Sequence, residues 1–253
     1  MKNILFIILS FLLFSAKQDN SQFVEVNSCK FHIKEIGKGK PVVIFESGLA
    51  IDMQTWNSIS DSIAKDTRVF LYDRAGIGLS DTISEARTIP NMIEELKLIL
   101  DKENIRPPYI LVGQSMGGYL VRYFANKYPH DVKGILLIDP ASEEVYDNMS
   151  KEHLEDFVYR YNTKFENRPI GERREWNYFF KNREYMRNIS ISDSIRIILL
   201  SATQFNWFDF HAKMIQNNPH AKHLRIEGHH ELHKDKPELV IKFIRELISS
   251  KSN

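Results

Sequence analysis

The stretch YILVGQSMGGYLVRYFA, residues 109–125, decides how the rest of the chain is read. Tyr109 to Val112 form a continuous apolar run, the mark of a strand covered on both faces. The run stops at Gly113, passes Ser115, and resumes after Gly117 and Gly118 with helical spacing. A sharp strand-turn-helix leaves no room for side chains two residues either side of the serine, which accounts for Gly113 and Gly117. It also lifts the Ser115 hydroxyl clear of the backbone. The first amides of the following helix are then aimed at any negative charge that develops beside that hydroxyl. Alone the five-residue pattern is weak, and the strand before it and helix after it give it weight.

Working outward, short apolar runs recur: VVIF at 42–45, RVFLY at 68–72, GILLID at 134–139 and RIILLS at 196–201, with KHLRIE read as a last strand. Amphipathic segments separate them, at Trp56 to Lys65, Ile89 to Asp101, Gly117 to Tyr128, Phe208 to Gln216 and Pro237 to Ser249. Strand followed by helix, repeated, predicts a parallel sheet in an α/β domain. Before them, alternation over Phe23 to Val26 and Phe31 to Ile36 predicts an antiparallel pair. One interval breaks the rhythm. Residues 140–195 are too long for a plain crossover, and KEHLEDFVYRYNTKF and GERREWNYFFKNREYM within it read as helices. We expect a helical lid over about 141–195, lying across the carboxyl ends of the strands, where open α/β sheets bind ligands.

Composition narrows the function classes. The chain has 253 residues, 43% hydrophobic and 26% charged, enough for one large core. Its net charge of +1 leaves no electrostatic footprint for nucleic acid. Cys29 is the only cysteine, so no internal disulfide can form, and no Cys/His spacing suggests a zinc site. The first twenty residues, MKNILFIILSFLLFSAKQDN, place Lys2 before an apolar run from Ile4 to Phe14, as in a secretory signal peptide. The run is short for a bilayer span. Export to the periplasm or medium is expected, with an uncleaved membrane anchor as the alternative and residues 21–253 as the folded domain.

At this point the sequence resembles the α/β-hydrolase family, from about Phe23 to the C-terminus. FESGLA at 45–50 matches the loop after the family's third strand, with Ser47-Gly48 in place of the commoner His-Gly. YDRAGIGLSD at 72–81 is similar to the Asp-x-x-Gly-x-Gly-x-Ser segment, LVGQSMGG at 111–118 to the nucleophile elbow, and EGHHELHKDKPELVIKFI to the histidine loop and final helix. The resemblance implies an α/β-hydrolase fold with an eight-stranded, mostly parallel sheet, no metal or organic cofactor, and a small-molecule ester or acyl substrate. It implies Ser115 as nucleophile, with the backbone N–H groups of Leu49 and Met116 as oxyanion hole.

Residue by residue, the family histidine falls seven positions before the helix-opening proline. Counting back from Pro237 gives His230 as base, with His233 three further on and His229 as the alternative. The orienting acid usually follows the seventh strand, but RIILLSATQFNWFDF offers no carboxylate until Asp209. Some members use the end of the sixth strand, where this chain has Asp139. Asp139 is therefore preferred over Asp209, and the order Ser115, Asp139, His230 keeps the family's sequence of roles. Asp73 and Arg74 are given a structural role. Trp207 and Phe208 are candidates for the pocket wall, and Arg122 reads equally as a surface cation. A serine at the elbow counts against the epoxide hydrolase and dehalogenase branches, which use Asp there. The reading is thus a serine hydrolase cleaving carboxylic esters. An acyltransferase, a proline-releasing peptidase and a non-catalytic receptor on the same scaffold are the alternatives.

Overall fold

A computed structural model describes residues 21–250. The expected leader over residues 1–20 lies outside the described residues. In chain order the elements are β1 (Ser21–Val26), β2 (Cys29–Ile36), β3 (Val42–Glu46), a 3-10 turn (Met53–Trp56), α1 (Asn57–Ile63), β4 (Val69–Tyr72), α2 (Ile89–Lys102), β5 (Tyr109–Gln114), α3 (Gly117–Lys127), β6 (Val132–Ile138), α4 (Glu143–Asp147), α5 (Lys151–Phe165), α6 (Ile170–Met186), β7 (Arg196–Ala202), α7 (Phe208–Ile215), β8 (Ala221–Ile226), α8 (Leu232–Asp235) and α9 (Pro237–Ser249).

The strands form one eight-stranded sheet in the order β1-β2-β4-β3-β5-β6-β7-β8. β1 and β2 pair antiparallel, β2 runs antiparallel to β4, and the pairs from β4 to β8 are parallel. This is the expected eight-stranded, mostly parallel α/β fold. The apolar runs explain why. Every residue of β3 and β5 is buried, because alternate side chains enter two different cores. Val42, Ile44, Leu111, Ile135 and Leu137 face the core that contains α2 and α3. Val43, Phe45, Val112, Leu136 and Ile138 face the core closed by α1 and α9. Helix α9 buries Val240, Ile241, Ile244 and Leu247 at helical spacing.

Among the described residues, the connection from β6 to β7 carries the three helices α4, α5 and α6. Trp176, Phe179 and Met186 of α6 and Phe165 of α5 are buried with the α2/α3 core. Aromatic contacts then bind the two helices to each other, including Phe165 stacked on Trp176 at 5.9 Å. The same face of α5 lines a cavity, described below. No described helix is long and apolar enough to cross a membrane.

Candidate active site

Ser115 directly follows β5 and Asp139 directly follows β6, two adjacent strands with Gln114 paired to Ile138. Both residues have left-handed backbone, φ 52° at Ser115 and φ 40° at Asp139. Such conformations cost a non-glycine residue about 1–3 kcal/mol and persist where the surroundings enforce them. Here the enforcement is visible: Ser115 N donates to Ile138 O at 3.2 Å, and Ala141 N donates to Ser115 O at 2.9 Å. The flanking glycines are sterically required. A Cβ on Gly113 would lie 2.5 Å from Gly117 O, and one on Gly117 would lie 2.9 Å from Ser47 O.

Asp139 is wholly buried. Its Oδ1 accepts the Ala202 N–H at 2.9 Å, from the end of β7, and its Oδ2 lies 2.6 Å from His230 Nδ1. A carboxylate only accepts, so Nδ1 carries the proton and Nε2 is left as the basic nitrogen. The loop of His230 is fixed by two glutamines. Gln204 Oε1 accepts the His230 N–H at 2.6 Å, and Gln114, the residue before Ser115, donates to His230 O at 3.2 Å. Phe205 and Trp207 set their rings edge-on to the imidazole at 5.7 and 5.6 Å.

The other sequence candidates separate cleanly. His229 Nδ1 pairs with Asp235 Oδ2 at 2.9 Å, but that histidine side chain is 78% exposed, whereas His230 is 25% exposed. His233 is buried against Trp56, its Nε2 at 2.8 Å from Thr55 Oγ1. Burial pushes its pKa down to about 4. Asp209 sits in the first turn of α7 and makes no contact with His230 among the described residues. Phe208, a pocket candidate from sequence, instead stacks on His223 at 3.9 Å, while Trp207 does line the cavity. Arg122 is not a surface cation: it is buried and holds Glu143 of α4 through two bonds of 2.8 and 2.9 Å. A lone basic residue on a helix gives no signal of such a partner.

Ser115 and His230 open on one cavity of about 870 Å³, shared with Leu49. No hydrogen bond joins the two side chains among the described residues; such contacts often tighten only when substrate is bound. Tyr146, Phe157, Tyr161 and Phe179 from the β6–β7 connection form much of the wall. Among the described residues no hydrogen bond takes up the N–H of Leu49 or Met116. Arg74 determines where the first of these points. Its Nη1 donates to Ser47 O at 3.0 Å and its Nη2 to Gly48 O at 2.7 Å. In a trans peptide the carbonyl and the next N–H point opposite ways, so anchoring Gly48 O turns Leu49 N–H away from Arg74. Asp73 is likewise internal, accepting from Met53 N and Leu79 N and pairing with His32. No described group of three or more His, Cys, Asp or Glu side chains could hold a metal ion.

Sequence gave no hint of the buried polar layer behind Asp139. His211 Nε2 donates to Pro140 O at 2.9 Å, and its Nδ1 lies 2.7 Å from Ser201 Oγ, which also meets His223 Nε2 at 2.8 Å. Burial pushes His211 down to about 4, so it stays neutral and does not compete with His230 for the Asp139 charge.

A mostly parallel sheet between two layers of helices, with a strained serine after β5 and an Asp–His pair beside it, defines the α/β hydrolase class. The sequence pattern of the α/β hydrolase fold matches residues 41–208, and the chain belongs to that family. It is 25% identical to the Bacillus subtilis protein YqjL over 223 residues, 85% of this chain and 87% of the relative. Its fold is similar to that of mouse alpha/beta hydrolase domain-containing protein 10, with a TM-score of 0.71 at 21% identity, covering 90% of this chain and 98% of that one. An esterase from Exiguobacterium antarcticum superposes with a TM-score of 0.66 at 14% identity, over 90% and 99% of the two chains.

Proposed function

We propose that the protein is a serine hydrolase that cleaves a carboxylic ester through an acyl-enzyme on Ser115. The observation that carries the reading is the pairing of the buried Asp139 carboxylate with His230 at 2.6 Å, the imidazole opening on the same cavity as Ser115. His230 Nε2 takes the Ser115 proton as the hydroxyl oxygen attacks the acyl carbon. The oxyanion is held by Leu49 N–H and Met116 N–H. Collapse breaks the ester C–O bond, and His230 gives its proton to the departing alkoxide. Water, deprotonated by His230, then attacks the acyl carbon; the bond to Ser115 Oγ breaks, His230 returns the proton to Oγ, and the acid leaves. A serine rather than a carboxylate after β5 favours acyl transfer over epoxide opening.

In this reading the β6–β7 connection, about 141–195, is a lid whose aromatic wall receives the apolar part of the substrate and keeps water from the reacting atoms. The leader places the enzyme outside the cytoplasm, free or held at the membrane by residues 1–20. The test is a panel of short- and long-chain p-nitrophenyl esters, with a fluorophosphonate probe, on the wild type and Ser115→Ala. Labelling and turnover should both vanish in the variant. Esterase activity that survives Ser115→Ala, or a wild type that the probe does not label, refutes the proposal.

A further inference from the structure

Beneath the loop that carries Leu49 lies a buried carboxylate that the chemistry just described does not use. Glu175 of α6 is 1% exposed. Its Oε2 accepts the Ala50 N–H at 2.8 Å and Arg74 Nη2 at 3.1 Å, and its Oε1 accepts Arg74 Nε at 2.6 Å. The other carboxylate beside Arg74, Glu46, stands further off at 3.4 Å and accepts a hydrogen bond from Tyr72. Glu175 is therefore the main partner of the guanidinium that anchors the Ser47 and Gly48 carbonyls.

Leu49 is flanked by two pinned peptide planes. Arg74 holds the one before it through Gly48 O, and Glu175 holds the one after it through Ala50 N–H. Ala50 is itself left-handed, φ 57°, a conformation that an alanine keeps only when something outside the loop enforces it. Both anchors converge on one side chain, and that side chain comes from the β6–β7 connection, 125 residues away. The same helix is seated against the Arg74 loop at its start. A Cβ on Gly76 would lie 2.6 Å from the Gly171 Cα, so the two backbones touch.

We propose that Glu175 is a positioning residue for the Leu49 N–H, so that the oxyanion-binding loop takes its working shape only while α6 is seated on the core. The inference rests on the serine-hydrolase reading above. It makes the β6–β7 connection part of the catalytic assembly as well as a wall of the substrate cavity. A glutamine at 175 keeps the volume but presents an NH₂ to Arg74 or to Ala50 N–H, donor against donor. An aspartate keeps the charge on Arg74 but is one methylene short of Ala50 N–H.

The experiment compares wild type, Glu175→Gln and Glu175→Asp on one p-nitrophenyl ester and on a trifluoromethyl ketone, which forms an oxyanion when Ser115 adds to it. Both variants should lower kcat by about ten- to hundredfold and weaken the ketone by the same factor, with KM within about twofold. A mere packing role moves melting temperature and leaves ketone affinity tracking KM, and that result overturns the proposal. If neither variant folds, amide exchange on the wild type decides. Ala50 N–H should exchange at the rate of the buried α6 amides, and exchange more than about tenfold faster overturns the coupling. A wild type whose Ser115 resists fluorophosphonate overturns both this inference and the reading beneath it. A labelled wild type with unchanged variant kinetics overturns this one alone.

Discussion

Replacing Asp139 with asparagine removes one charge and no volume, and the structure dictates how the new amide must lie. Ala202 N–H points at Oδ1 from 2.9 Å in a site with no solvent access. Turning the NH₂ toward it would bury two opposed donors, at a cost of about 1–3 kcal/mol. The amide oxygen therefore stays on Ala202, and the NH₂ faces His230 Nδ1, now 2.6 Å from a donor instead of an acceptor. His230 answers by moving its proton to Nε2, the nitrogen that in the proposed mechanism accepts from Ser115. The base is lost though every side chain remains in place. The expected fall in kcat is ~10⁴, or about 5.5 kcal/mol in the barrier. Steady-state hydrolysis of a p-nitrophenyl ester measures it, with a melting curve within a few degrees of wild type as the folding control. Asp209→Asn, on α7 with no hydrogen bond or ion pair to the imidazole among the described residues, should keep kcat/KM within about twofold. Asp139→Asn retaining more than about a tenth of wild-type activity would refute the tautomer argument, and loss in Asp209→Asn alone would relocate the acid.

Gly117→Ala should be destabilised by about 1–3 kcal/mol or more, because its Cβ would lie 2.9 Å from Ser47 O; thermal unfolding reads it as a fall of several degrees. His229→Ala should keep kcat within about threefold, whereas His230→Ala should lose about 10⁴ under the same ester assay. Burial pushes Glu46 from its ordinary 4.5 to about 7, despite the nearby Arg74. The folded protein then holds a proton that the unfolded chain has released between those values, so this group's contribution to stability falls as pH rises through that window. Glu46→Gln should abolish that slope, worth on the order of 3 kcal/mol; denaturant melts at pH 5 and pH 8 that decline as steeply as wild type would contradict it.

The strands and helices were legible because burial on two faces leaves a chemical trace in the chain itself. VVIF and YILVG are apolar at every position, and α9 repeats its apolar residues at helical spacing from Pro237 onward. Ser115 was legible because close backbone approach demands glycine at two fixed positions, a constraint written in five consecutive residues. The supports of the site left no such trace. Gln114 reaches His230 O across 116 residues, and Gln204 reaches His230 N across 26. Each depends on where neighbouring strands end, which no local pattern records. Arg122 and Phe208 misled for a related reason. An arginine on an amphipathic helix and an aromatic beside a strand end look alike whether they meet solvent, a carboxylate or another ring.

The absence of a carboxylate after β7 also has a structural explanation. In the proposed mechanism Asp139 takes its place from the neighbouring strand, and the end of β7 becomes a donor instead: Ala202 N–H caps Oδ1, while Leu200 O accepts the Asp139 N–H at 2.7 Å. Two hydrogen bonds to one strand end hold the acid in its left-handed turn. The elbow is bonded to the same turn, through Ser115 N on Ile138 O and Ala141 N on Ser115 O. Ser115 and Asp139, the nucleophile and acid of the proposed mechanism, therefore share a single hydrogen-bonded unit across β5, β6 and β7, fixed by parallel register. Slipping β6 by one residue against either neighbour would turn Asp139 to the opposite face and strand His230 without its carboxylate. The pairing of Gln114 with Ile138 and of Ile138 with Leu200 is thus as much a requirement of the proposed triad as its three side chains.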